Sequence, residues 1–72
     1  MANKEIWLVV DDGYDFYQPK IVAFTTEDKA MQYLKHVVVD TFGDEFSEED
    51  EDNMAHDYGN GTIYVTSADI NA

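Results

Sequence analysis

Residues 40–57 of this chain carry nine acidic side chains and not one Lys or Arg. Such a stretch cannot enter a hydrophobic core, because an unpaired ionised carboxylate is costly to desolvate. The fold must be built from the segments on either side, with the acidic stretch carried at its surface. The chain has 72 residues, enough for one small domain that buries about 60% of the surface of its unfolded chain. The expectation is one domain over residues 1–72, with residues 40–61 as an acidic insert within it. At 44% hydrophobic and 14% aromatic residues, the chain is too apolar to be wholly disordered. Without Cys, it is neither a disulfide-stapled scaffold nor a thiolate metal site.

The flanking segments show two hydrophobic periods. Ile6 to Val10 is a short apolar run ending at Asp11-Asp12-Gly13, which reads as a strand closing in a turn. Lys20 to Thr25 alternates Ile21 and Ala23 against Val22 and Phe24, a second strand joined to the first as a hairpin with a longish loop. Thr25-Thr26-Glu27-Asp28 is a helix start, a threonine cap followed by acids at the positive end of the dipole. Ala30, Met31, Leu34, Val37 and Val38 then recur at helical spacing, predicting a helix over 26–39. The β-branched run Val37-Val38-Val39 weakens its last turn, and Gly43 is a natural stop. Ser47 is placed to cap a marginal second helix, opposed by its own like charges. Gly59-Asn60-Gly61 marks a turn, Thr62 to Thr66 a third strand, and the last six residues a soft tail in which Ile70 packs back. The expected fold is α+β: a three-stranded antiparallel sheet in β-β-α-β order, spatial order 2-1-3, with one long helix on one face and the acidic loop or short helix before the last strand.

Charge excludes several functions. Sixteen Asp and Glu face four Lys and no Arg, for a formal net charge of −12. A conventional nucleic-acid binder needs a basic footprint, and an anionic membrane surface would repel this chain. No apolar run approaches membrane-spanning length, and the start of the chain leads into too few apolar residues for a secretory signal. There is no phosphate-binding glycine loop and no nucleophile context, and a domain this small has little volume for a pocket that separates two carboxyl pKa values. No enzyme activity and no cofactor are therefore expected. His36 and His56 read as surface or partly packed residues rather than zinc ligands. Asp50 to Ala55 fails the calcium-loop pattern, with Met54 and Ala55 where a ligand and Gly belong, so no metal site is expected either. Tyr14, Phe16 and Tyr17 read first as core-edge residues; with Trp7 they offer the alternative of a small adaptor domain that binds through aromatics.

The acids have a bland reading, a solvated face that keeps the chain soluble. Their clustering favours another. Asp11, Asp12 and Asp15 form one group; Asp40, Asp44, Glu45, Glu48, Glu49, Asp50, Glu51, Asp52 and Asp57 form a second, pinned at both ends by folded segments. Carboxylates one helical turn apart, or on alternate strand residues, repeat every 6–7 Å or so, close to twice the phosphate rise of roughly 3.4 Å along one DNA strand. A surface of this kind approximates a phosphate track and suits a basic DNA-binding protein as partner, through fast, salt-sensitive association. It does not suit nucleic acid itself. A second copy of the chain is the other partner the sequence admits.

The runs Ile6-Trp7-Leu8-Val9-Val10 and Lys20-Ile21-Val22-Ala23-Phe24-Thr25-Thr26-Glu27-Asp28-Lys29-Ala30 resemble a strand-then-helix pattern of small bacteriophage proteins, over roughly the first forty residues. Together with the size, acidity and element order, the chain resembles the acidic DNA-mimic proteins of lytic phages, most of all inhibitors of the nucleoid-associated protein HU. The resemblance implies a non-enzymatic inhibitor acting in the cytoplasm of a bacterial host, occupying the DNA-binding surface of HU or of another nucleic-acid-binding system such as restriction, CRISPR or RNA polymerase. Acidic mimics share charge rather than motif, so no residue role is carried over.

Overall fold

The computed structural model describes residues 3–13, 18–59 and 61–71. Four strands and two helices follow in the order β1 (Asn3–Gly13), β2 (Lys20–Phe24), α1 (Glu27–His36), a π turn (Val37–Thr41), α2 (Glu48–Asn53), β3 (Ala55–Asp57) and β4 (Gly61–Asn71). All strand pairs are antiparallel, and the sheet runs β2-β1-β4-β3.

The α+β class holds, but the sheet has four strands rather than three. The additional strand, β3, is only three residues long and borders β4 through Ala55↔Tyr64, His56↔Ile63 and Asp57↔Thr62. It is the short arm of a hairpin with β4, and three residues are too few to show a period in the sequence. The first and last strands are also longer than the apolar runs that seed them. β1 pairs with β4 from Asn3↔Asn71 to Gly13↔Gly61. Asp11, Asp12 and Gly13 therefore continue a strand instead of turning, and the expected soft tail is strand. Local turn propensity yields here to an eleven-residue ladder. At its end the two backbones crowd: a Cβ on Gly61 would collide with the carbonyl oxygen of Asp12, which is why a residue without one stands there. Asp15 and the aromatic trio Tyr14, Phe16 and Tyr17 lie outside the described residues, as does the side chain of Ile70.

Helix α1 begins where the cap signal places it. Thr26 accepts a hydrogen bond from the Lys29 backbone N–H at 3.3 Å, and Glu27 and Asp28 fill the first turn. The helix is shorter than the 26–39 expected. At Val37 the winding loosens, Phe42 N–H reaching the Val37 carbonyl at 2.9 Å in an i→i+5 bond. Three successive β-branched residues crowd the regular turn, and the wider one accommodates them. Gly43, at φ +71°, closes it in the left-handed conformation that glycine adopts without penalty.

Packing follows from the two periods. Ala30 and Leu34 of α1 and Val37 and Val38 of the π turn bury themselves against Val9 of β1 and Ile63 and Val65 of β4. Trp7, Phe24, Met31, Tyr33, Phe42, Phe46, Met54 and Tyr58 ring this cluster, half-buried. Burying a side chain of Leu, Val or Ile size contributes about 1.5–3 kcal/mol. Two aromatic pairs close its flanks: Phe24 on Tyr33 with centroids 5.3 Å apart, and Phe42 on Tyr58 at 4.4 Å.

Candidate functional site

The acidic segment is ordered by its own polar chemistry. Helix α2 has the sequence Glu-Glu-Asp-Glu-Asp-Asn and buries no side chain. Its like charges at i,i+3 and i,i+4 repel by a few tenths of a kcal/mol per pair, so propensity and packing alone would not hold it. A capping box does part of the work. Ser47 Oγ accepts from the Asp50 backbone N–H at 3.1 Å, and the Asp50 carboxylate accepts from the Ser47 backbone N–H at 3.1 Å. The four acids of the first turn also sit at the positive end of the helix dipole.

At the other end Met54 takes φ +56°, a left-handed conformation costing a non-glycine residue about 1–2 kcal/mol. Its side chain packs against the core and its carbonyl accepts from the Val65 N–H at 2.8 Å, so tertiary contacts hold the strained residue in place. The reversal turns the chain from α2 directly into β3.

His56 of β3 joins the two ends of the segment. Its Nδ1 lies 3.0 Å from Asp50 Oδ2 and its Nε2 lies 3.0 Å from Asp44 Oδ2. The imidazole side chain is only 11% exposed. Two carboxylates accept from both ring nitrogens at once only when both carry a proton, which is the imidazolium. Burial works against that charge, but the hydrogen bonds to Asp44 and Asp50 and their negative charge outweigh it, holding the His56 pKa above its ordinary 6.5. Asp50 shows the converse. Its burial favours the neutral acid, yet His56, the Ser47 backbone N–H and the Ser47 side chain favour the carboxylate and hold its pKa below 3.8. The carboxylates take different ring nitrogens and so do not converge on a point; among the described residues no group of three His, Asp or Glu is arranged to hold a metal ion.

The structure sorts the acids expected to form the surface. Asp44, Glu45, Glu48, Glu49, Glu51 and Asp52 are exposed on one contiguous stretch of chain. Asp50 belongs to the scaffold, engaged by Ser47 and His56. Asp11 and Asp12, adjacent in a strand, face opposite sides of the sheet; Asp11 accepts a 2.6 Å hydrogen bond from the Tyr58 hydroxyl, while Asp12 stays exposed. Asp40 lies on the π turn, 2.6 Å from His36 of the preceding turn of helix. Asp57 is exposed and accepts from the Gly59 N–H at 3.0 Å. The expected second track of Asp11, Asp12 and Asp15 therefore does not form one surface: its first two members diverge and the third lies outside the described residues. The residue that sequence reasoning missed is His56. It stands six positions beyond Asp50 and twelve beyond Asp44, spacings that belong to neither helix nor strand, and only the β3 pairing brings the three together. Trp7, considered for an aromatic contact patch, is half-buried against the core.

No protein-family model, curated protein or solved structure matches the chain.

Proposed function

We propose that the chain is a non-enzymatic inhibitor that mimics nucleic acid, presenting the exposed carboxylates of residues 44–52 to the DNA-binding surface of a basic host protein, with an HU-type nucleoid protein in a bacterial cytoplasm as the first target. The observation that carries this reading is the construction of the segment. Six exposed acids lie on a helix and its lead-in, one of them, Asp44, paired with His56, and the segment is fixed by a capping box at one end and by His56 across both. A merely solubilising stretch requires charge but no such fixation. A mimic gains from it, because a surface already ordered loses less conformational freedom on docking.

Charge decides which partners are accessible. At −12 the chain repels phosphate, and a protein that grips DNA through the backbone demands no base edges. Sequence-specific readers are poorer targets, since carboxylates do not reproduce the donor and acceptor pattern of the major groove. Restriction, CRISPR and RNA polymerase systems, which also hold backbone phosphate, are the second tier. The adaptor reading, through Trp7, Tyr14, Phe16 and Tyr17, has only Trp7 among the described residues, half-buried against the core.

A mobility shift with labelled duplex and HU, titrated with this protein at two salt concentrations, tests the proposal. Free DNA should reappear as the protein is added, and the protein alone should leave the duplex unshifted. Retention of all DNA on HU at several-fold excess and low salt rejects HU as the target; the same result across a panel of backbone-binding proteins rejects mimicry.

A further inference from the structure

Among the described residues, the side of the sheet opposite α1 is apolar in its middle and charged only at its ends. Alternation and register place Ile6, Leu8 and Val10 of β1 on this face, beside Ala23 and Ile21 of β2 and Ala68, Thr66 and Tyr64 of β4. Val10 is buried yet stands outside the α1-side cluster, Ile21 is 56% exposed, and Ile6, Leu8 and Tyr64 are half-buried. Among the described residues no helix packs on this side. Lys4 stands at one end of the face, and Asp12 and Asp57 share the row at the other, all three exposed.

We infer that this face is the interface of a homodimer, in which two sheets stack with their strands antiparallel. The pattern of charge picks out both the occupant and the orientation. A chain with ten acids and no Lys beyond residue 35 repels its own copy across most of its surface, and this face, free of acid between Lys4 and Asp12 on β1, is where two copies meet without opposing carboxylates. A two-fold axis lying in the interface and perpendicular to the strands brings Leu8 against Leu8 and sets Lys4 of each copy over Asp12 of the other. An axis parallel to the strands would set acid on acid. Leu8 is flanked by the small residues Ala23 and Thr66, which leaves room for its counterpart to interdigitate at the usual sheet separation of about 10 Å.

Size is sufficient for weak association. Eight residues separate Lys4 from Asp12, about 27 Å along β1 and β4, while β2 adds five residues on one flank and β3 three on the other, so the footprint is about 400 Å² per copy in projection and larger in accessible area. That places the dimer among the small, weakly associating interfaces, below the standard size of about 800 Å² per partner. The rim pairs fix orientation more than they add affinity. Because His56 and Ile63 are on the α1 side of the sheet, stacking on the opposite face leaves both acidic segments outward. The inference does not depend on what those segments bind.

Sedimentation equilibrium of the full chain at moderate salt, over a concentration series, reads the result directly. The mass should rise from 8.2 kDa toward twice that value. Ile21→Lys, on an exposed edge-strand position where folding is retained, should weaken self-association at least tenfold. Lys4→Asp should weaken it, and Lys4→Asp combined with Asp12→Lys should restore it, which a general charge effect or an unfolded variant would not produce. A monomer throughout the series overturns the dimer, as does a monomer showing proton contacts from Ile21 and Tyr64 to residues 14–17, which would give the face to the chain's own loop. A dimer indifferent to Ile21→Lys overturns this interface, and one weakened equally by both charge variants overturns the antiparallel orientation.

Discussion

The body of the molecule and its acidic segment are held by different physics. In the body, α1 and the π turn bury Ala30, Leu34, Val37 and Val38 on a sheet whose longest ladder spans eleven residue pairs. In the segment, α2 buries nothing, and its order comes from Ser47, Asp50, His56 and Asp44. The charge follows the same division: residues 1–35 hold all four lysines against six acids, while residues 36–72 hold ten acids and no lysine. A hydrophobic core cannot form from acids, but polar capping and one half-buried histidine can fix them on top of a core formed by other residues. The division also separates fold from function, because the groups that would face a basic partner are not those that hold the sheet together.

The largest test of this separation is Leu34→Ala. Leu34 is fully buried, and removing such a side chain costs about 2–5 kcal/mol, enough to unfold much of a domain this small. Thermal denaturation should show the loss in the body and the segment together, since the segment is anchored to the core through Met54 and to the sheet through β3.

Next is His56→Ala, with an expected cost of about 1–2 kcal/mol for two charge-assisted hydrogen bonds at a partly solvated site. It should be pH-dependent. The raised pKa of His56 means its contribution is complete below 6.5 and is lost as pH rises through the higher folded value. The lowered pKa of Asp50 means its contribution is complete above 3.8 and is lost as pH falls through the lower folded value. The stability difference between wild type and variant should thus be greatest between those two values and shrink toward alkaline pH. A pH-independent difference would show that His56 acts by packing alone.

Salt discriminates the two regions more gently. From 10 to 300 mM NaCl the Debye length shortens roughly five-fold, so the melting temperature should rise as the acids are screened. The rise should be smaller when Glu45, Glu48, Glu49, Glu51 and Asp52 are changed to Gln or Asn. A flat or falling melting temperature would show that self-repulsion is not the main surface effect.

The smallest effects belong to single carboxylates. Each of those five substitutions alone should weaken binding to HU by under about 1 kcal/mol and act mainly on the association rate; the five together should weaken it far more. Asp50 is kept intact in the combined variant, because removing it would unseat the helix and confuse loss of order with loss of charge.

Much of the body was legible in sequence because its signals are local. Alternation over 6–10 and 20–24, the Thr26 cap and the Ala30–Leu34 stripe are each complete within a few residues, as is Ser47 before its run of acids. What was hidden depends on pairings that local hydrophobic periodicity does not show. Asp11-Asp12-Gly13 has turn composition, and only Gly61, Thr62 and Ile63 opposite make it strand. β3 is too short to show a period. The difference between Asp50 as scaffold and Glu49 as surface appears only once His56 is placed beside one of them.

Chemical-shift mapping tests the central claim most directly: backbone amides of the isotope-labelled chain are followed as unlabelled HU is added. The largest perturbations should fall at residues 44–52 and at His56, with the amides of β2 and of Leu8 little changed. Perturbations concentrated on Lys20–Phe24 and Tyr64, with the acidic segment silent, would contradict it.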